Sequence, residues 1–130
     1  MSPLDENTRL LLDGTNFASV STLGPDGGPQ TSIVWIGRDG ELVVFSTTRD
    51  RQKARNLARD PRVSIAIYEH ENPYNWVEIR GIAELVDDPD RTWPKRLSQK
   101  YLGEDPPAEG PEVMRLAVRV RVQKVNRFSA

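Results

Sequence analysis

Apolar and polar residues alternate along this chain in short runs, each closed by glycine, proline or asparagine, the rhythm of strands joined by turns. Phe17 to Leu23 alternates, Pro25-Asp26-Gly27-Gly28 turns the chain, and Gln30 to Ile36 returns. Asp39-Gly40 then makes a second tight hairpin into Leu42 to Phe45, so the first three strands are expected to form a meander. Further on, Arg62 to Tyr68 sets Val63, Ile65 and Ile67 against Ser64, Ala66 and Tyr68. Asn72-Pro73-Tyr74-Asn75 leads into a long strand from Trp76 to Val86, where Gly81 predicts a bulge or sharp bend. Met114 to Val122 completes the sheet, with Leu116, Val118, Val120 and Val122 inward and Arg115, Arg119 and Arg121 outward.

Helical periodicity is confined to short segments. Leucines at 4, 10, 11 and 12 ahead of Gly14 predict an opening helix over Leu4 to Asp13. A second, basic helix follows Thr48, its expected N-cap. Asp87 to Gly103 reads as another, started by Asp88-Pro89, with Trp93, Leu97, Tyr101 and Leu102 on its apolar side and Pro94 tolerated near the first turn. The acidic, proline-rich stretch Glu104 to Glu112 is expected to be an exposed loop. The expected fold is mainly β (α+β): six antiparallel strands in a small β-barrel with peripheral helices.

Some strands are apolar on both faces, with Ile33 and Trp35 opposing Val34 and Ile36. Either the flanking helices cover the outer face, or a second copy does. The excess favours a homodimer, with any pocket lying where two chains meet.

Composition narrows the chemistry. The 130 residues, 37% hydrophobic and 28% charged, are expected to form one globular domain spanning 1–130. No run approaches the roughly 18 apolar residues of a membrane helix, and MSPLDENTR lacks a signal peptide's regions, so a cytoplasmic location is expected. With no cysteine, disulfides and thiolate chemistry are excluded. His70, the one histidine, lies in the polar run EHENPYN, which argues against a zinc cluster or a serine–histidine triad and for an ordinary loop position.

Charge is nearly balanced overall, at −1, but not locally. In LVVFSTTRDRQKARNLARD, Leu42 to Asp60, an apolar strand passes through Ser46, Thr47 and Thr48 into a helix crowded with Arg49, Arg51, Lys53, Arg55 and Arg59 against Asp50 alone. At about 100° per residue, Arg49, Lys53 and Asn56 share one face, Arg51, Arg55 and Arg59 another, and Ala54, Leu57 and Ala58 the stripe between. One reading is a solvated basic face. The other is an anion pocket, since hydroxyls beside a helix N-terminus favour phosphate. A small phosphorylated ligand fits a local excess better than nucleic acid, which the acidic loop and the net −1 oppose.

Three runs, TLGPDGGPQTSIVW, STTRDRQKARNLARDPRVSIAI and NPYNWVEIRGIAEL, resemble the pyridoxamine 5'-phosphate oxidase-like split β-barrel family, and within it the actinobacterial group that uses the deazaflavin F420. The resemblance covers roughly residues 6 to 127. It implies a homodimeric split barrel with two cofactor sites at the interface, binding F420 or, alternatively, FMN. By position it implies that Arg51 and Lys53 hold the cofactor phosphate, with Arg55 and Asn56 close by and Ser46 and Thr47 beside the ribityl chain. Gln30, Thr31, Ser32, Ile33 and Val34 would line the ring system, and Tyr74 and Trp76 would come from the partner chain. Core packing is the competing account of Trp35 and Trp76. Phosphate-oxidase members also carry substrate-binding arginine and histidine near the C-terminus. This chain ends VNRFSA, with Arg127 and no histidine. The implied activity is therefore hydride transfer between cofactor and a small organic substrate, with no side chain as obligatory acid or base and Tyr74 as a weak proton donor; an FMN flavoprotein or a nonenzymatic carrier are the alternatives.

Overall fold

Ile36 connects the two edges of the sheet, and the architecture follows from that. The computed structural model describes residues 3–128, so positions 1–2 and 129–130 of the expected domain lie outside the described residues. The elements run α1 (Glu6–Asp13), β1 (Phe17–Leu23), β2 (Pro29–Trp35), β3 (Gly37–Asp39), β4 (Leu42–Thr48), α2 (Gln52–Arg59), β5 (Arg62–Tyr68), β6 (Trp76–Asp87), α3 (Thr92–Leu102) and β7 (Arg115–Phe128). All seven strands form one antiparallel sheet in the order β2-β1-β5-β6-β7-β4-β3. The edge strands β2 and β3 are consecutive in sequence and separated by one residue. A sheet whose two edges are joined by so short a link must curl until they meet, which is the split barrel with peripheral helices.

This closure revises the expected meander. β2 pairs with β1, but β4 pairs with β7 and with the three-residue β3, across the seam from β2. Inside the barrel, β5 buries Val63, Ile65 and Ile67 as its alternation requires, against Val20, Val43, Phe45, Ile79, Val118 and Val120. Gly81 marks the expected bulge. The register shifts between Arg80 and Gly81, and a Cβ there would lie 2.4 Å from the Arg121 carbonyl oxygen. β7 runs on to Phe128, beyond the expected end at Val122, because its polar half pairs with the first half of β6.

Helix α3 covers the outside. Val44 and Ala117, on the outer face of β4 and β7, pack with Trp93 and Leu97, so a helix does cover part of that face, while Ile33 stays 67% exposed. Leu102, expected on the apolar side, is exposed because it lies about 100° round the helix from Tyr101. Both carboxylate oxygens of Asp88 cap the helix, accepting from the Thr92 and Trp93 amides, and Gly103 ends it in the left-handed conformation. α1 is capped by Asp5, which accepts from the Thr8 amide.

Helix α3 also fastens the seam. The Ile36 amide donates to Tyr101 Oη at 3.0 Å, and Lys100 Nζ donates to the carbonyls of Ile36 and Leu12. Tyr101 Oη in turn donates to the Asn16 carbonyl, and its ring stacks on Trp35 at 5.1 Å. Desolvation pushes the Lys100 ammonium down to about 8, the nearby Asp13 charge opposing it. The folded chain therefore releases this proton before the unfolded chain does, so Lys100 favours folding increasingly as pH rises from about 8 toward its ordinary value of 10.5. Urea unfolding of wild type and Lys100→Met at pH 7.5 and pH 10 checks this. The wild type's advantage in midpoint is expected to grow with pH; an unchanged or shrinking gap contradicts it.

Candidate functional site

The ends of β2 and β4 face each other across the seam and bound a cleft of about 330 Å³. One wall is Ile33, Val34 and Trp35; the other is Ser46, Thr47 and Thr48. Arg51 and Lys53 from the start of α2 and Arg115 from the start of β7 supply charge, and Pro94, Leu97 and Pro106 form the remaining apolar lining. The arrangement is amphipathic, with an apolar side on β2 and α3 and a cationic, hydroxyl-bearing side on β4 and α2.

The five cations of the basic segment divide sharply. Arg49 pairs with Asp87, Arg55 donates to the Asp50 carbonyl and to Gln52 Oε1, and Arg59 donates to the Leu23 carbonyl. Arg51 and Lys53 are the two that line the cleft; neither side chain makes a hydrogen bond or ion pair among the described residues, although the Arg51 charge acts on the neighbouring Asp50 carboxylate. Burial depresses the Lys53 pKa, and the neighbouring Arg51 charge depresses it further. An anion bound between them would oppose both effects by favouring the charged form. Thr47, which also lines the cleft, has a buried hydroxyl that lacks a hydrogen-bond partner among the described residues. Two cations without a hydrogen bond or ion pair on the wall of one cleft fit an oxyanion such as phosphate.

The helix start differs from expectation in one respect. α2 begins at Gln52 with Arg51 as N-cap and no side-chain cap bond, while Thr48 remains in β4 and donates to Asp50 Oδ1. The Arg51 amide donates to the Thr48 carbonyl, a turn that swings Arg51 back over the strand end.

Of the residues expected around a cofactor, Ile33, Val34, Ser46, Thr47, Arg51 and Lys53 line this cleft. Gln30, Thr31 and Ser32 lie farther back on β2, where Gln30 Oε1 accepts from Thr22 and the Thr31 hydroxyl pairs with Ser21; the Ser32 hydroxyl is buried without a partner. Arg55 is outside the cleft, exposed. Asn56 is fully buried, its Nδ2 donating to Thr22 Oγ1 at 3.0 Å and its Oδ1 accepting from Gln52. Within this chain Asn56 ties α2 to β1. Tyr74 and Trp76 sit away from the cleft, Tyr74 65% exposed and Trp76 stacked on Phe128. Thr48, expected as a helix N-cap, and Trp35, for which core packing was the competing account, also line the cleft, whereas Pro94, Leu97, Pro106 and Arg115 were not expected there. Pro94 and Leu97 arrive on helix α3 and Pro106 on the loop after it, and Arg115 arrives through strand pairing, opposite Thr48 in the β4–β7 ladder.

A larger cavity of about 470 Å³ on the outer face of β1, β5 and β6 lacks this character, since its arginines are already paired, Arg62 with Asp60 and Arg80 with Glu78. Among the described residues there is no cluster of three His, Cys, Asp or Glu able to hold a metal, and no helix long and apolar enough to cross a membrane. Asn56→Ala is expected to lower the unfolding free energy by about 1 to 3 kcal/mol, as loss of a buried hydrogen-bonded group does. Denaturant titration measures this; an unchanged midpoint would contradict the structural role.

The profile of a family described as "Pyridoxamine 5'-phosphate oxidase" matches residues 4–128. A pyridoxine/pyridoxamine 5'-phosphate oxidase of Kineococcus radiotolerans is 35% identical over 71 residues, 55% of this chain and 31% of the relative. The matched part is thus under a third of that curated relative. A solved structure titled "F420 Reductase" superposes with a TM-score of 0.81 at 32% identity, covering 91% of this chain and 94% of the other. A heme binding protein of Mycobacterium smegmatis superposes at 0.72 with 26% identity, covering 96% of this chain and 53% of its own.

Proposed function

We propose, from the premise that this chain belongs to the pyridoxamine 5'-phosphate oxidase family, that its seam cleft binds the phosphate of a flavin-type cofactor and that the protein is an oxidoreductase acting on a small organic substrate. The observation that carries this is the pair of cleft-lining cations, Arg51 and Lys53, which make no hydrogen bond or ion pair among the described residues. F420 is the favoured cofactor and FMN the alternative; the favour rests on the 32% identity, over nearly all of its length, to a structure titled F420 Reductase. The apolar wall of Ile33, Val34 and Trp35 suits a flat ring system, and β2 backbone groups suit its polar edge.

Such a cofactor, when bound, supplies hydride chemistry. The chain's own part is then to hold the phosphate, orient the ring against β2 and exclude water on the α3 side. A second reading, a binding protein without turnover, is favoured by the likeness to a structure titled as a heme binding protein. Against heme itself, His70 is an exposed loop residue and lines none of the cavities described.

On this reading the molecule is a homodimer, because Ile33 stands 67% exposed at the mouth of the cleft and Tyr74 and Trp76 form an exposed aromatic patch elsewhere that can complete a partner's site. Sedimentation is expected to give twice the 14.7 kDa chain mass; a monomer contradicts the shared site. Side-by-side titration with F420 and FMN tests the phosphate grip. Lys53→Ala is expected to weaken binding by roughly 1.5 to 3 kcal/mol with the fold intact. Equal affinity of mutant and wild type for both cofactors would remove the proposal.

A further inference from the structure

Arg115 opens β7 opposite Thr48, so its side chain leaves the sheet beside the end of β4. Glu109 holds one edge of the guanidinium, accepting from Nε at 3.0 Å and from Nη2. The other edge is nearly free, since Nη1 has only Ser46 Oγ at 3.5 Å, a contact at the limit of hydrogen bonding. Both side chains are largely shielded, Arg115 at 24% and Glu109 at 23% exposure. Glu109 is itself anchored. It lies 3.4 Å from Arg91, whose Nη2 also donates to the carbonyls of Gly110 and Val113 and so ties down the loop that carries Glu109.

Arg115 also occupies a boundary. It lines both the seam cleft and a neighbouring cavity of about 650 Å³, and Thr48 and Arg51 are the other residues common to the two. Arg51 and Arg115 therefore stand on the same threshold. A guanidinium locked along one edge loses little freedom when the other edge takes an oxyanion, and its fork geometry suits phosphate.

We infer that Arg115 is a third cationic contact for the anion held by Arg51 and Lys53, and that Glu109 is the positioning residue that aims its free edge into the cleft. This rests on the proposed reading of the cleft as a phosphate site. The acidic loop 104–112 is then part of the site, supplying the carboxylate that fixes a binding arginine.

The test compares FMN with riboflavin, which differ only in the phosphate, and F420 with its deazariboflavin, which lacks the phosphate and the lactyl-glutamyl tail attached to it. Affinities are measured for wild type, Arg51→Ala, Arg115→Ala, Arg115→Lys and Glu109→Gln, with thermal melts to check folding. Arg115→Ala is expected to weaken the phosphorylated ligand about tenfold or more and leave its phosphate-free counterpart within about twofold. Arg115→Lys should restore only part of the loss, because an ammonium lacks the fork. Glu109→Gln should also reduce the phosphate-dependent gain, although it removes a negative charge. Equal losses for both members of a pair would mean a merely structural role and overturn the inference. Tighter binding in Glu109→Gln would overturn the positioning role. If Arg51→Ala loses the phosphate-dependent gain and Arg115→Ala keeps it, this inference alone fails; if both keep it, the phosphate reading of the cleft fails as well.

Discussion

The single-residue link at Ile36 is the constraint from which the rest of the structure follows. With β2 ending at Trp35 and β3 starting at Gly37, the opposite edges of a seven-stranded sheet are forced together. Ladder hydrogen bonds do not pair these edges, so something else must satisfy the peptide groups there. Tyr101 accepts from the Ile36 amide and Lys100 donates to the Ile36 carbonyl, which makes α3 the fastener of the barrel. Gly37 leaves room for it, since a Cβ there would stand 3.3 Å from Leu97.

The cleft is a consequence of that seam. β2 and β4 lie near opposite ends of the strand order, and the short β3 with its Ile36 link brings them together as the two walls of the cleft. Because α3 covers the outside of β4 and β7, the cleft is bounded on that side by Pro94 and Leu97 and shielded from water. Shielding is what gives the electrostatics weight. A lysine in open solvent beside an arginine would be little perturbed, but here burial and the neighbouring Arg51 charge together lower the Lys53 pKa, and a bound anion would oppose both. The remaining cations of the segment are occupied by Asp87, Gln52 and backbone carbonyls, so charge count overstates the site and partner assignment defines it.

Much of this was legible in the residues themselves. The alternation in Arg62–Tyr68, the bulge at Gly81 and the hydroxyl-to-basic junction after β4 are all local patterns, set by strand period, backbone sterics and helix-end electrostatics. Closure was not legible. Nothing within Gln30 to Phe45 distinguishes a hairpin meander from a chain crossing a seam, because the difference lies in whether distant β7 takes the place beside β4. Arg115 was read only as an outward strand residue for the same reason: its neighbour Ser46 is 69 positions away. Asn56 shows the limit of helical phase. It shares a face with Lys53 in projection, yet the helix turns that part of the face into the Thr22 contact.

Family membership and the cleft reinforce one another without being the same argument, since the match to residues 4–128 concerns ancestry and the unpaired cations concern chemistry. The most direct measurement is a crystal structure of the protein with F420 or FMN bound. The phosphate oxygens are expected within hydrogen-bonding distance of the Arg51 and Lys53 side chains, with the ring against Ile33 and Val34. A cofactor bound elsewhere, with Arg51 and Lys53 still unpaired, would contradict this expectation.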